Sequence, residues 1–160
     1  MAPAPLPTFA TKETPRTGSC LCGAVQLKIT GTPVFTNLCH CIDCQKATAS
    51  LFIACATFKS EDLEYTCTPA DAMKEFKCHT TLSGNLLLRY FCQNCGSTVK
   101  NEAARLQGAF IVVPIGIIDD DKSDLKPRYE LFCSNREAWL GNNEGVVQTP
   151  GMPPPDAFKP

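Results

Sequence analysis

No stretch of this chain approaches the ~20 consecutive apolar residues that would carry a helix across a bilayer. It also lacks any appreciable net charge. A formal charge of −1 at neutral pH argues against a general electrostatic grip on nucleic acid or on an anionic membrane. The opening segment, Met1-Ala2-Pro3-Ala4-Pro5-Leu6-Pro7, has neither the cationic head nor the apolar centre of a secretory leader. Internal repeats and long helical periodicities are missing too. Together these absences point to a cytoplasmic protein in a reducing compartment, with no nucleic-acid and no membrane partner. They leave the oligomeric state open.

What the chain does have is cysteine: eleven in 160 residues. Hydrophobic residues at 44% suffice for one domain that buries ~70% of its unfolded surface. In a reducing compartment disulfides seldom persist, and clustered cysteines more often bind metal or react. Magnitudes agree, because a structural zinc contributes roughly 10–16 kcal/mol to folding at neutral pH, against about 2–5 kcal/mol for a native disulfide.

Seven of the eleven fall into three groups: Cys20-x-Cys22, Cys39-x-Cys41-x-x-Cys44 and Cys92-x-x-Cys95. The first and last groups together supply four thiolates, enough to close a tetrahedral shell around Zn²⁺. The middle group supplies three and leaves one coordination position for water or substrate. The pattern thus predicts two zinc ions per chain: a structural one held by Cys20, Cys22, Cys92 and Cys95, and a catalytic one held by Cys39, Cys41 and Cys44. For the trio the competing reading is a second structural zinc closed by His79, Cys55 or Cys78.

Periodicity predicts a mainly β protein of short strands. Val25, Leu27 and Ile29 alternate with Gln26, Lys28 and Thr30, the period of a half-buried strand. Leu51 to Phe58 reads as a strand buried on both faces. Glu61 to Thr66, Phe76 to Thr81, Leu86 to Phe91, Phe110 to Ile118 and Arg128 to Cys133 are further candidates, with Pro114 marking a bend or an edge. Only Asp43 to Thr48 and Ser134 to Leu140 look like short helices; Asp43 is expected to cap the first and Trp139 to turn inward from the second. Residues 1–15 read as a flexible arm, 16–141 as the zinc domain and 142–160 as a Pro-rich tail. Cys55 and Cys133 read as small buried hydrophobes, Cys67 and Cys78 as exposed thiols, His40 as a loop residue with a backbone partner, and Asp119-Asp120-Asp121 as a solvated turn.

The strings Gly18-Ser19-Cys20-Leu21-Cys22-Gly23-Ala24-Val25, Cys39-His40-Cys41-Ile42-Asp43-Cys44-Gln45-Lys46 and Phe91-Cys92-Gln93-Asn94-Cys95-Gly96-Ser97 occur in that order. With Pro127 and Ala138-Trp139-Leu140 near the end, they resemble the glutathione-dependent formaldehyde-activating enzymes, a family that includes the centromere protein V-like proteins. The resemblance implies a β-tent zinc-binding fold of several short antiparallel strands with few short helices, shared with a Rab-binding exchange chaperone and the B-type methionine sulfoxide reductases. It implies glutathione as co-substrate and a zinc-dependent carbon–sulfur lyase or synthase reaction that gives S-(hydroxymethyl)glutathione, or its relative on a larger carbonyl or thiol conjugate. Lys46, Arg89 and Lys100, beside the motifs, are the candidates for holding glutathione's carboxylates. The extra cysteines and the polar stretch from Thr66 to Leu86 depart from the family pattern. Two other functions compete: a non-catalytic zinc module for a protein or chromatin partner, and a redox enzyme using Cys67 or Cys78.

Overall fold

The computed structural model describes residues 10–82 and 84–153. Residues 1–9 of the expected flexible arm lie outside the described residues, and Ala10 is already buried against the core. The chain enters through β1 (Arg16–Ser19) and reverses into β2 (Val25–Ile29). In β2 the predicted alternation holds: Val25, Leu27 and Ile29 are buried while Gln26 and Lys28 are exposed. β3 (Phe35–Cys39), α1 (Ile42–Thr48), β4 (Ile53–Lys59) and β5 (Leu63–Cys67) follow. After them come β6 (Met73–Cys78), β7 (Leu87–Cys92), β8 (Thr98–Ala103), β9 (Phe110–Pro114), β10 (Tyr129–Leu131) and β11 (Val147–Gln148).

The strands form two sheets. One has three strands in the order β1-β2-β5, and the other has eight in the order β11-β10-β3-β4-β9-β8-β7-β6. All pairings are antiparallel except β10 with β3 and with β11. The protein is therefore mainly β, as its periodicity predicts. β11 shows that residues beyond 141 still contribute to the large sheet, while residues 154–160 of the expected tail lie outside the described residues.

β4 is apolar on both faces because both are covered. Ala56 and Phe58 meet Leu27 and Ile29 of the small sheet, together with Ile111 and Val113 of β9. On the other face Ile53 and Cys55 pack with Phe35, Tyr129, Leu131 and the thiols of Cys39 and Cys41. Phe35 and Tyr129 stack with ring centroids 4.8 Å apart. The apolar layer between the sheets is thus the main core, and the opposite face of the large sheet carries the cysteine trio.

Several local expectations change. The strand expected over Phe76 to Thr81 runs instead over Met73–Cys78, because β6 is positioned by its pairing with β7, Arg89 facing Phe76. The last helix is two 3₁₀ turns, Cys133–Asn135 and Ala138–Leu140, and Trp139 is 73% exposed rather than inward. Neither of these two turns buries a residue, and Trp139 stays outside the core. Pro114 ends β9, after which the chain bends through a 3₁₀ turn at Ile115–Ile117.

This bend returns the chain against β1. Gly18 bridges Ile118, and a Cβ on Gly18 would stand 2.7 Å from the Ile117 carbonyl oxygen. The obstructing atom is backbone and cannot rotate away. Gly18→Ala is expected to cost about 1–3 kcal/mol, read as a lower urea midpoint in the metal-loaded protein with an unchanged slope.

Candidate metal centres

All eleven cysteines are free thiols. Two tight turns from different sheets build the first cluster. Cys20 follows β1, and the chain reverses at Gly23, whose φ of 76° is left-handed; Cys92 ends β7, and Gly96 reverses there with φ of 75°. A side chain would be strained at either glycine. The Gly23 and Gly96 amides close these turns on the Cys20 and Cys92 carbonyls at 2.9 and 2.8 Å.

The sulfurs of Cys20, Cys22, Cys92 and Cys95 all lie within 4.8 Å of one another. Cys20 to Cys22 is 3.6 Å and Cys22 to Cys92 is 3.7 Å. Four sulfurs on a tetrahedron around zinc stand about 3.8 Å apart, whereas a disulfide requires about 2.05 Å. The Val25 amide donates to the Cys20 sulfur at 3.2 Å, and the Ser97 hydroxyl lies 3.3 Å from the Cys95 sulfur. Hydrogen bonds from Ser97 bring the Cys95 thiol down to about 5, whereas desolvation pushes Cys92 up to about 11, so the four do not ionise together without a cation among them. A closed four-sulfur divalent site fits, and it joins the small sheet to the far strands of the large one.

The second cluster is built at the joint between β3 and α1. Cys39 ends the strand, Cys41 is the N-cap, and Cys44 lies in the first helical turn. The i to i+3 spacing brings Cys41 and Cys44 to one face, and the Cys44 amide donates to the Cys41 sulfur at 3.4 Å. Cys41 therefore takes the capping role expected of Asp43, because its sulfur already points back at the open amides. The three sulfurs lie within 4.8 Å of one another. Among the described residues, no fourth His, Cys, Asp or Glu ligand atom joins that group. With no cation between them the three cannot ionise together. Hydrogen bonds from Cys39 and Cys44 hold Cys41 down at about 3, while Cys41 and Cys44 push Cys39 far up. A divalent ion at the trio would resolve that conflict, so these donors also fit a metal, and they leave a position uncommitted.

Two groups support the trio from behind. His40, 1% exposed, places Nε2 2.8 Å from Glu130 Oε1 and Nδ1 3.2 Å from the Leu51 carbonyl. Both ring nitrogens are occupied, which makes His40 a clamp between two sulfur-bearing residues. Glu130, also 1% exposed, receives Arg136 Nη1 at 3.3 Å on its other oxygen. Sequence reasoning found the backbone partner of His40 but missed Glu130, since 90 residues separate the two.

Arg89 is the second support. It is 7% exposed on β7, and its Nη2 lies 3.9 Å from the Cys44 sulfur. Burial opposes its charge, yet the Cys44 and Cys78 sulfurs more than offset this and raise its pKa. Its Nη1 is buried without a hydrogen-bond partner, as is Oδ1 of Asn101, and each such atom costs about 1–3 kcal/mol. Nothing in the sequence pattern singled out Asn101.

The remaining predicted residues separate. Cys78, expected exposed, is buried because it faces inward from β6 near Arg89. Cys55 is buried, Cys67 is half-buried, and the half-buried Cys133 donates to the Glu130 carbonyl at 3.2 Å. Lys100 is occupied elsewhere: its Nζ is 2.5 Å from Glu102 Oε1 and lies over the rings of Tyr90 and Tyr65 at 4.3 and 5.2 Å. Lys46 is exposed on α1. Next to it, a cleft of about 260 Å³ is lined by Ala47, Phe76, Arg89, Tyr90, Phe91, Gly96 and Thr98. Its lining runs from the helix that carries the trio to the glycine that closes the four-sulfur turn.

The fold and the sites thus define a two-sheet protein with two cysteine clusters suited to divalent metal. Residues 15–135 match the family model described as glutathione-dependent formaldehyde-activating enzyme, and the chain belongs to that family. Among solved structures it is similar to a Rhodobacter sphaeroides protein from a structural genomics programme. That likeness has a TM-score of 0.53 at 19% identity and covers 83% of this chain and 99% of that one. It speaks for the fold alone. No curated protein matches the chain. No helix among the described residues is long and apolar enough to cross a membrane.

Two results follow for the metal sites. Cys41→Ser is expected to remove one metal ion per chain and keep the fold, whereas Cys92→Ser should lose its ion together with cooperative unfolding; metal analysis alongside circular dichroism reads both. Glu130→Ala, which strands His40 and Arg136, should weaken metal retention at the trio about 10- to 100-fold in a chelator competition and leave the four-sulfur centre loaded.

Proposed function

We propose that the chain is a zinc-dependent carbon–sulfur lyase or synthase acting on glutathione adducts, joining glutathione to formaldehyde or a related carbonyl and releasing it again. The observation that carries this reading is a sulfur trio with no fourth protein donor among the described residues, set beside a cleft whose lining includes the buried Arg89. In this reading Cys20, Cys22, Cys92 and Cys95 hold a structural zinc and Cys39, Cys41 and Cys44 a catalytic one. A zinc ion held by three thiolates offers a vacant position that takes up a thiolate or polarises an oxygen.

The reaction asks little more than that two partners meet in the right geometry. The glutathione sulfur, having lost its proton to solvent, forms the C–S bond, and the carbonyl π pair moves to oxygen. That oxygen then takes a proton from solvent, and cleavage runs the same steps in reverse. Thiols add to formaldehyde unaided, so holding the partners together is the main gain on offer. Phe76, Tyr90 and Phe91 give the cleft an aromatic wall. Lys46, exposed beside Ala47 at the cleft, is free to meet a glutathione carboxylate. Lys100 is a weaker choice because Glu102 already holds it. A cytoplasmic setting, where thiols stay reduced, suits eleven free cysteines.

Addition of glutathione to the zinc-loaded protein should shift amide resonances at residues 39–47 and around Phe76, Arg89 and Phe91, and Lys46→Ala should weaken binding several-fold. No shift at millimolar glutathione overturns the enzyme reading and leaves a zinc module that binds a protein partner.

A further inference from the structure

A second cleft lies on the face of the large sheet that the trio does not use. Leu38 of β3 stands opposite Ala54 of β4, and successive residues of a strand project to opposite faces. Cys39, Ile53 and Cys55 belong to the cluster around the trio, so Leu38 and Ala54 face the layer between the sheets. Further along β4, Ala56 and Phe58 are fully covered in that layer. Leu38 and Ala54 are only half-buried, and the segments 122–127 and 143–146 line the space above them. The resulting cleft has a volume of about 320 Å³, against about 260 Å³ for the one beside Arg89. Sites for small molecules begin at roughly 300 Å³.

The floor of this cleft is apolar and its rim is cationic. Leu38, Ala54, Ile115, Leu125 and Val146 give the apolar part, Lys122 and Lys126 the charged part, and no carboxylate lies in the lining. Lys126 carries its Nζ across to the 143–146 segment, where a Cβ on Gly145 would stand 4.0 Å from it. Lys122 Nζ donates to the Asp120 carbonyl at 3.3 Å. Among the described residues neither lysine forms an ion pair. The acidic residues of the same turn are engaged elsewhere, mostly by β1. Ser19 Oγ donates to Asp119 at 3.2 Å, the Thr17 amide to Asp120 at 2.7 Å, and Arg16 Nη1 to Asp124 at 2.9 Å. Asp121 accepts the Ser123 amide at 3.2 Å, and the exposed Glu144 is outside the lining. The turn thus separates its charges, acids toward β1 and ammonium groups toward the cleft.

We propose that this cleft binds a small amphipathic carboxylate, its apolar chain resting on Leu38, Ala54, Ile115 and Val146 and its acidic head meeting Lys122 and Lys126. Apolar walls open to solvent favour a ligand that removes them from water. Two ammonium groups without carboxylate partners select a negative head over a neutral or positive one. The lining holds neither an arginine fork nor the start of an α-helix, the usual grips on phosphate, so a carboxylate suits it better. The site lies on the opposite face of the sheet from the trio, and it stands or falls independently of the lyase reading.

The test uses the metal-loaded full chain, with ¹³C in the methyl groups of leucine, isoleucine and valine, and octanoate as the probe. Octanoate should shift the methyl signals of Leu38, Ile115, Leu125 and Val146 saturably, and leave in place those of Leu87 and Leu88 on the strand that carries Arg89. Octylammonium, with the same chain and the opposite charge, should bind more weakly. Lys122→Gln combined with Lys126→Gln, at two exposed positions away from the cysteine clusters, should keep the metal content and weaken octanoate about 2- to 30-fold. Absence of a saturable shift at millimolar octanoate overturns the site. Octylammonium binding as tightly as octanoate overturns it as well, since the cleft would then be an apolar surface without selection of charge. Unaltered octanoate affinity in the double variant, or shifts centred on Leu87 and Leu88, have the same consequence. The comparison of the two probes is made on the unaltered protein, so it decides the matter even where the double variant fails to fold.

Discussion

Four sulfurs held within 4.8 Å of one another cannot all carry charge unless a cation lies among them, and much of this molecule is arranged around that constraint. The first cluster draws two of its sulfurs from the turn after β1 and two from the turn after β7. Those turns belong to different sheets. A metal there is therefore a crosslink between sheets whose other main bond is the apolar layer of Leu27, Ile29, Phe58 and Val113. With 70 residues between Cys22 and Cys92, the chain entropy opposing such a contact is large, and a single ion offsets it at one point.

The trio obeys the same constraint with one donor fewer. Three thiolates and a divalent ion leave a formal charge of about −1, and the fold places Arg89 next to Cys44. On the other side His40 and Glu130 are buried, and the half-buried Arg136 ties Glu130 outward to Asn142. This chain fixes the turn between Cys39 and Cys41 without offering a further ligand. The surroundings thus hold three sulfurs together and, among the described residues, bring no fourth His, Cys, Asp or Glu ligand to them.

The cysteine spacing made both clusters legible because ligands within one turn must lie within a few residues of each other. Strand periodicity made β2, β4 and β7 legible for a similar reason: burial of one face or of both faces writes itself into neighbouring residues. The polar residues behind the trio were not legible. Glu130 reaches His40 from the other end of the domain, and Asn101 acquires significance only through its register with Arg89. Trp139 misled, because an aromatic residue in a weakly apolar segment reads as a core anchor until the turn around it is seen to bury nothing.

The sequence by itself determined which atoms can bind metal, the mainly β character, and membership of a family, since each is encoded in local spacing or in ordered motifs. Only the tertiary structure decided which cations face those sulfurs. Arg89 turned out to be buried beside the trio, Lys100 held by Glu102 and Lys46 exposed. The physical reason is that a side chain's partner across a sheet is set by strand order and register, and these depend on how the whole chain packs.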